Sequence, residues 1–436
     1  MLNYLKSNRM KLSIGLIAIF LLFQVYKFIS VRIINLDLPK GKIVFSSSAD
    51  GDDEIYIMDI NGTNLRQLTH NPASKEDTAA DSKPSFSPDG IIIVFTSSRQ
   101  GKNTEFIYDS EGRVIGSGTS GKGTSDIYIM DSEGNNQIPL TYGEINSHPF
   151  FSPDNRKIVF RSIRPSSTKM LDIYSHEQRI LNHGGGQFEF SKDGMKLYDN
   201  LKGDISVTDI TGINRVKLTN FLDSKIGDKE NKGLAFNLSS DGKRIVIFTK
   251  ESRGSTIGEY YDVVRFYTMN IDGSNFKEIY KIDCSRLDKI FLSINNEQER
   301  FCSIEQYQYS PDGKSIIFIA DFTYNKGIYV LNLLNGRIRE LTQSKINWAE
   351  ILDFVYTPDG RKIIFIADIY PKFYVFHALI LRNIRAYINY YLFRKSTSFY
   401  DNKYLCIMDL DGKNYRKIAK LPEGTELGRD FIHWEK

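Results

Sequence analysis

The hydrophobic positions of this chain come in short runs, each introduced by the same polar phrase. An aromatic or Leu residue, Ser or Thr, a short turn with Asp, then Gly in most copies, precedes an Ile/Val/Phe-rich run. The copies are FSPDGIIIVF (Phe86–Phe95), FSPDNRKIVF (Phe151–Phe160), FSKDGMKLY (Phe190–Tyr198), LSSDGKRIVIF (Leu238–Phe248), YSPDGKSIIF (Tyr309–Phe318) and YTPDGRKIIF (Tyr356–Phe365). Ser, Pro, Asp and Gly in this order predict a tight turn: Pro presets φ, Asp caps its own backbone and Gly accepts positive φ. The flanking runs are β-branched and aromatic, as in strands. Some lack polar alternation, such as Ile91–Phe95, which predicts burial on both faces.

A second phrase follows each first one. It reads EIYIMDINGTNLRQLT (Glu54–Thr69), DIYIMDSEGNNQIPLT (Asp126–Thr141) and DISVTDITGINRVKLT (Asp204–Thr219), with later forms at Phe266–Ile279, Gly327–Thr342 and Tyr404–Ala419. A degenerate copy spans Leu171–Asn182. Ile55 and Ile57 alternate with Tyr56 and Met58, which predicts the outer half of a sheet with one strand nearer solvent. Each unit is therefore strand, turn, strand, loop, strand, turn, strand. The Asp positions 89, 154, 193, 241, 312 and 359 are 65, 39, 48, 71 and 47 residues apart, so a unit of about 40 residues carries insertions.

Four antiparallel strands per repeat predict an all-β fold, a β-propeller of four-stranded blades. The chain enters at a second strand (Lys42–Ser46) and ends in RDFIHWEK (Arg429–Lys436), which reads as an orphan first strand. Pairing the two closes the ring and removes exposed edges. Closure gives seven blades; the short unit around 165–200 leaves six or eight open.

The paired phrases resemble the repeats of the TolB-type propeller, also found in the propeller halves of prolyl-oligopeptidase-like enzymes. The resemblance covers about residues 40–436. It implies an extracytoplasmic propeller that binds proteins or other ligands and does no chemistry itself. TolB proper carries a separate domain before a six-bladed ring, and the peptidases carry a hydrolase domain. Here about ten residues separate the apolar N-terminal segment from the first strand, so neither specific function is implied.

That segment divides the chain into residues 1–36 and a body of 37–436. Leu12–Tyr26 carries no charge and follows Lys6, Arg9 and Lys11, the plan of a secretory signal. No small-x-small cleavage site follows. The reading is an uncleaved helical anchor, with membrane contact through residues 12–31; a cleaved signal peptide and a buried helix are the alternatives. The basic flank favours an exported body. Residues 1–36 carry +5 against +4 for the whole chain, leaving −1 on the body. A near-neutral body offers no electrostatic footprint for nucleic acid.

All the insertions fall on one face of such a ring. Residues 99–124 and 367–403 lie between second and third strands, and 220–232 and 281–304 between blades. This face is expected to bind a protein partner or a cell-envelope ligand. The opposite, tight-turn face is expected to look toward the membrane. Residues 101–124 are Gly/Ser-rich and polar and read as mobile. Phe373–Phe393, taken as a helix, puts Phe373, Phe376, Ile380, Ile384, Tyr387 and Tyr391 on one stripe, with Arg382 and Arg385 off it. Packing of that stripe on the propeller is the plainest reading. A partner-binding helix using Phe373, Phe376, Arg382 and Arg385 is the functional one, and membrane contact a third.

Chemistry is sparse. Asp50, Asp52, Asp53 and Glu54 form an acidic cluster with no EF-hand spacing; a solvated turn is the simpler reading than calcium. The six His make no HExxH or paired set, so no metal site and no cofactor is expected. His148, before Pro149, could face the central channel; a structural histidine is the simpler reading. Cys284 and Cys302 bracket one insertion and could pair in an exported protein, or remain thiols. Cys406 replaces the Tyr of the second phrase and is expected inside a sheet. No catalytic constellation is legible. A binding platform is the leading expectation; a propeller hydrolase or lyase acting on glycans at the channel mouth is the alternative. An inward cluster of acids, Arg and His would favour the enzyme, and a small and apolar channel mouth the platform.

Overall fold

A computed structural model describes residues 40–71, 79–99, 104–108, 114–119, 124–164, 166–183, 186–200, 203–220, 232–253, 260–283, 299–300, 303–321, 326–342, 349–369, 403–427 and 431–434. Residues 12–31, the 370–402 segment, Cys284 and Cys302 lie outside them. Among the described residues no helix is long and apolar enough to cross a membrane.

Seven four-stranded antiparallel blades form the fold. Blade 1 holds β1 (Gly41–Ser47), β2 (Glu54–Asp59) and β3 (Arg66–Gln67), with β31 (Ile432–Trp434) as its innermost strand. Ile43 pairs with Ile432 and Gly41 with Trp434, so the chain's end closes the ring against its first strand. Blade 2 holds β4 (Asp81–Phe86), β5 (Ile92–Ser97), β8 (Asp126–Asp131) and β9 (Ile138–Pro139). Blade 3 holds β10 (Asn146–Phe151), β11 (Lys157–Ile163), β12 (Ser166–Asp172) and β13 (Gln178–His183). Blade 4 runs from β14 (Phe188–Phe190) to β17 (Arg215–Lys217), and blade 5 from β18 (Lys232–Leu238) to β21 (Lys277–Asp283). Blade 6 runs from β23 (Ser303–Tyr309) to β26 (Ile338–Glu340), and blade 7 from β27 (Ala349–Tyr356) to β30 (Arg416–Lys420). The short unit near 165–200 is resolved by blade 3, where Ile163 pairs with Ser166 and no insertion intervenes.

Seven hydrophobic clusters fill the seven interfaces between consecutive blades. Ile43, Phe45, Tyr56 and Met58 pack on blade 7 through Ile364, Ile366, Leu405 and Ile407. Val44, Ile55 and Ile57 pack on blade 2 through Phe86, Ile93 and Phe95. This corrects one expectation. The alternation in Ile55–Met58 does not separate core from solvent; it assigns side chains to two neighbouring blades, and all four are buried. Solvent begins only at the fourth strand, as at Arg66 and at Arg215–Lys217.

The turn chemistry has the predicted form. The Gly90 N–H donates to Ser87 C=O at 2.8 Å, while Asp89 Oδ1 accepts from Ser87 Oγ at 2.6 Å and from the Ile91 N–H at 3.1 Å. Ser310–Asp312 and Thr357–Asp359 repeat it. The hydroxyl holds the carboxyls of Asp312 and Asp359 below the usual range. Consecutive turns touch: Asn155 Nδ2 donates to Asp89 Oδ2 at 3.0 Å, and Ser240 Oγ to Pro311 C=O at 3.1 Å. Gly90 is needed twice over. Its φ is 72°, and a Cβ there would fall 2.3 Å from the His433 ring of the closing strand.

The opposite face carries the elaborations. Between β5 and β8 the 99–124 insertion forms a hairpin, β6 (Thr104–Tyr108) with β7 (Val114–Thr119), where the composition reads as mobile coil. In blade 5, β19 (Arg244–Arg253) and β20 (Tyr260–Asn270) outgrow their neighbours, and β22 (Glu299–Arg300) pairs parallel to β20. The 370–402 segment leaves from Ile369 and returns at Lys403, on this same face.

Candidate functional site

The inner strands decide what the central channel presents, because their inward edge has no fifth strand to pair with. Blades 4 and 6 solve this with glutamines. Gln187 Nε2 donates to Phe236 C=O, and Gln187 Oε1 accepts the Phe236 N–H at 3.1 Å. Gln306 does the same for Phe354, at 3.2 and 3.0 Å. Each amide imitates a backbone partner and laces one inner strand to the next blade's. Glu189 accepts the Leu238 N–H at 3.1 Å, adding to the seam between blades 4 and 5.

Blades 2 and 3 do something else at the same place. In β4 and β10 the register slips between Ser82 and Ser85 and between Ser147 and Phe150. Each slip is a bulge holding a residue and its following proline, Lys83-Pro84 and His148-Pro149. Lys83 and His148 both have φ of 53°, the left-handed region, which non-Gly side chains rarely adopt. Such a conformation costs of order 1–3 kcal/mol and persists only where its surroundings enforce it. A bulge re-aims a side chain. His148 is exposed, with Nδ1 3.0 Å from Ser147 Oγ. It is therefore not the satisfied structural histidine that is the simpler sequence reading.

These residues converge on a pocket of about 260 Å³ at the insertion-face end of the channel. Lys83, His148, Arg161 and Gln187 bring polar atoms; Phe150, Val159, Phe188 and Leu427 are apolar. Arg161 donates to Gly186 C=O at 2.9 Å. Lys83 Nζ lies 2.6 Å from Glu426 Oε2, linking blade 2 to the segment that leads into the closing strand. Partial loss of solvent around the ring at the channel wall, then the Arg161 and Lys83 charges, hold the His148 imidazole below its usual pKa, against a smaller opposing pull from Glu426. The mouth combines cationic groups with an apolar wall, and Glu426 is engaged by Lys83. That arrangement suits binding of an anion better than acid–base work by paired carboxylates.

The acidic groups singled out from the sequence have other roles. Glu54 is buried, and its carboxylate accepts from Thr69 Oγ1 and the Asn71 N–H, while Thr69 Oγ1 accepts the Ile55 N–H. Asp126 with Thr141, and Asp204 with Thr219, repeat this device. It pins the fourth strand to the third. Burial pushes Glu54 and Asp126 above the usual carboxylate range. Asp50 accepts from Gln67 Nε2 at 2.7 Å. Among the described residues no group of three or more His, Cys, Asp or Glu is arranged to hold a metal. Cys406 is a buried free thiol inside blade 7, as expected, and burial pushes it up to about 11. Phe373, Phe376, Arg382 and Arg385, and the Cys284–Cys302 pair, fall outside the described residues.

Lys83, Arg161 and Gln187 are absent from the sequence reading. A signal was present: aligned on the Ser of the turn, DSKPSF and NSHPFF share a proline three residues before it, in a strand, where proline marks a bulge or an edge.

The repeats are TolB-like. A protein TolB homolog from Chlorobium chlorochromatii is 30% identical over 145 residues, covering 28% of this chain and 32% of that protein. The match thus spans about a third of the relative's length. No family model matches the chain. Among solved structures, TolB from Acinetobacter baumannii aligns at 13% identity and TM-score 0.39, over 82% of each chain. An oligogalacturonate lyase in complex with manganese aligns at 11% and 0.47, over 88% of this chain and 85% of its own. A periplasmic gluconolactonase from Pseudomonas aeruginosa aligns at 13% and 0.47, over 89% and 97%. At such distances no chemistry transfers, and the fold assignment rests on the blades themselves.

Proposed function

We propose that this protein is a membrane-tethered, extracytoplasmic propeller that serves as a binding platform for a protein partner or cell-envelope ligand, with no catalysis of its own. The observation that carries this reading is the asymmetry of the ring. One face is a tight circle of touching turns, while the β6–β7 hairpin, the β19–β20 extension and both ends of the 370–402 segment share the other. The apolar Leu12–Tyr26 segment, its basic flank and the entry of the chain on the tight-turn face support tethering with the elaborated face outward.

Photo-crosslinking in intact cells tests it. Tyr142 is 68% exposed on the elaborated face, and Leu334 is 85% exposed on the tight-turn face. A crosslinking residue at 142 is expected to capture a discrete partner, and one at 334 to capture none. Capture from 334 alone overturns the orientation.

A glycan-acting enzyme remains the competing reading, because His148 and Arg161 do meet at the channel mouth. It predicts turnover of a polysaccharide that is abolished by His148→Ala; the platform predicts none.

A further inference from the structure

We propose that the pocket at the channel mouth binds a small monocarboxylate with an apolar body, its carboxylate between Arg161 and Lys83 and its body against Phe150, Val159 and Phe188. This deepens the platform reading and rests on it only for the identity of the binding face.

Five observations lead there. The pocket, about 260 Å³, is amino-acid-sized rather than cut for an oligomer. Its lining includes two cations and a histidine but no carboxylate among the described residues. A guanidinium fork matches a carboxylate geometrically, and the Gly186 carbonyl holds Arg161 in place. Thr168 also lines the pocket; it is fully buried, and its hydroxyl has no hydrogen-bond partner. A buried unsatisfied hydroxyl is unfavourable, and a small shift of the pocket wall would bring a ligand oxygen within reach of it. Finally, Lys83 and His148 are held in strained conformations that aim them at the mouth, where glutamine in blades 4 and 6 needs none.

The charge balance selects the ligand. Glu426 already engages Lys83, and the planar Arg161 guanidinium matches a single carboxylate in its geometry. That fits a monoanion better than a phosphate dianion. The apolar wall would leave the hydroxyls of a sugar acid unpaired, which is unfavourable. Carboxylates of this kind occur as free acids and as the C-terminal residue of a peptide; the pocket chemistry is common to both.

The test uses full-length protein in detergent, which requires no macromolecular partner. Failure here would therefore leave the crosslinking result standing, and the reverse. N-acetyl-L-leucine, its amide, 4-methylvalerate, glucuronate and inorganic phosphate are titrated by calorimetry. The acetylated acid is expected to bind at least 10-fold more tightly than its amide and than glucuronate or phosphate. Arg161→Met is expected to lose that advantage. Thr168→Val keeps the shape and removes only the unpaired hydroxyl, so it is expected to melt no lower than wild type and to weaken binding about 3-fold or more. Equal binding of 4-methylvalerate marks a free acid as the source, and a requirement for the acetamido group marks a peptide end. Equal affinity for acid and amide, tighter phosphate or glucuronate, or an unchanged Arg161→Met with native melting overturns the proposal.

Discussion

The inner wall of this propeller is built in two ways, and the difference separates scaffold from site. Around blades 4 to 7, Gln187 and Gln306 reach across to the backbone of Phe236 and Phe354 and lace neighbouring inner strands together. Around blades 2 and 3 the equivalent positions are Lys83 and His148, each in a bulge, each at positive φ, and both at the rim of the pocket. The first sector satisfies orphan backbone groups without positive φ at these positions, although its inner strands in blades 6 and 7 also shift register, between Ile304 and Gln306 and between Ile351 and Asp353. The second accepts strain and leaves polar groups facing a cavity. Both sectors rest on the same interblade packing, so that contrast is local to the channel.

The comparison can be broken in stages. The largest effect belongs to what the sectors share. Phe318 is fully buried between blades 5 and 6, and Phe318→Ala is expected to remove about 3–5 kcal/mol from the unfolding free energy measured in denaturant. Gln306→Leu should destabilise by about 1–3 kcal/mol, because it takes the side-chain donor from the Phe354 carbonyl and leaves the Phe354 N–H only the Asp353 carboxyl. If that variant melts like wild type, the lacing is ornamental and the contrast fails.

Asp353 sharpens the same seam through pH. It lines the wall beside Phe354, whose N–H it accepts at 2.7 Å, and burial lifts its pKa to about 6 against the Phe354 and Gln306 hydrogen bonds. The folded state therefore keeps a proton that the unfolded chain has released. Its contribution to stability is present below about pH 4 and is lost as pH rises toward 6. Asp353→Asn should gain on wild type by about 1–3 kcal/mol between pH 4 and pH 7, allowing for partial solvent screening, and melting curves at the two pH values would read it. The smallest effect should have the opposite sign to the glutamine variant. His148→Gly relieves the left-handed strain and is expected to stabilise by about 0.5–1 kcal/mol while weakening the pocket.

Much of the frame is legible along the chain. Ser87, Asp89 and Gly90 act as their residue types predict, and the orphan strand near Arg429–Lys436 pairs with Gly41–Ile43 as closure requires. Local chemistry determines both. The burial of Tyr56 and Met58 was hidden because both of the faces they alternate between are apolar, so no polar residue betrays the second core. The site was hidden for a different reason. The Lys83 and His148 bulges are defined by register against β5 and β11, and the Gln187 bridge joins residues 49 apart. Neither leaves a local pattern beyond a proline inside a strand.

Hydrogen exchange on the full-length protein, with and without N-acetyl-L-leucine, tests the division of the channel most directly. The account predicts added protection in peptides covering Asn146–Arg161 and Gly186–Phe188, and none in Ser303–Tyr309 or Ala349–Tyr356. Protection in blades 6 and 7 instead, or spread evenly round the ring, would contradict it.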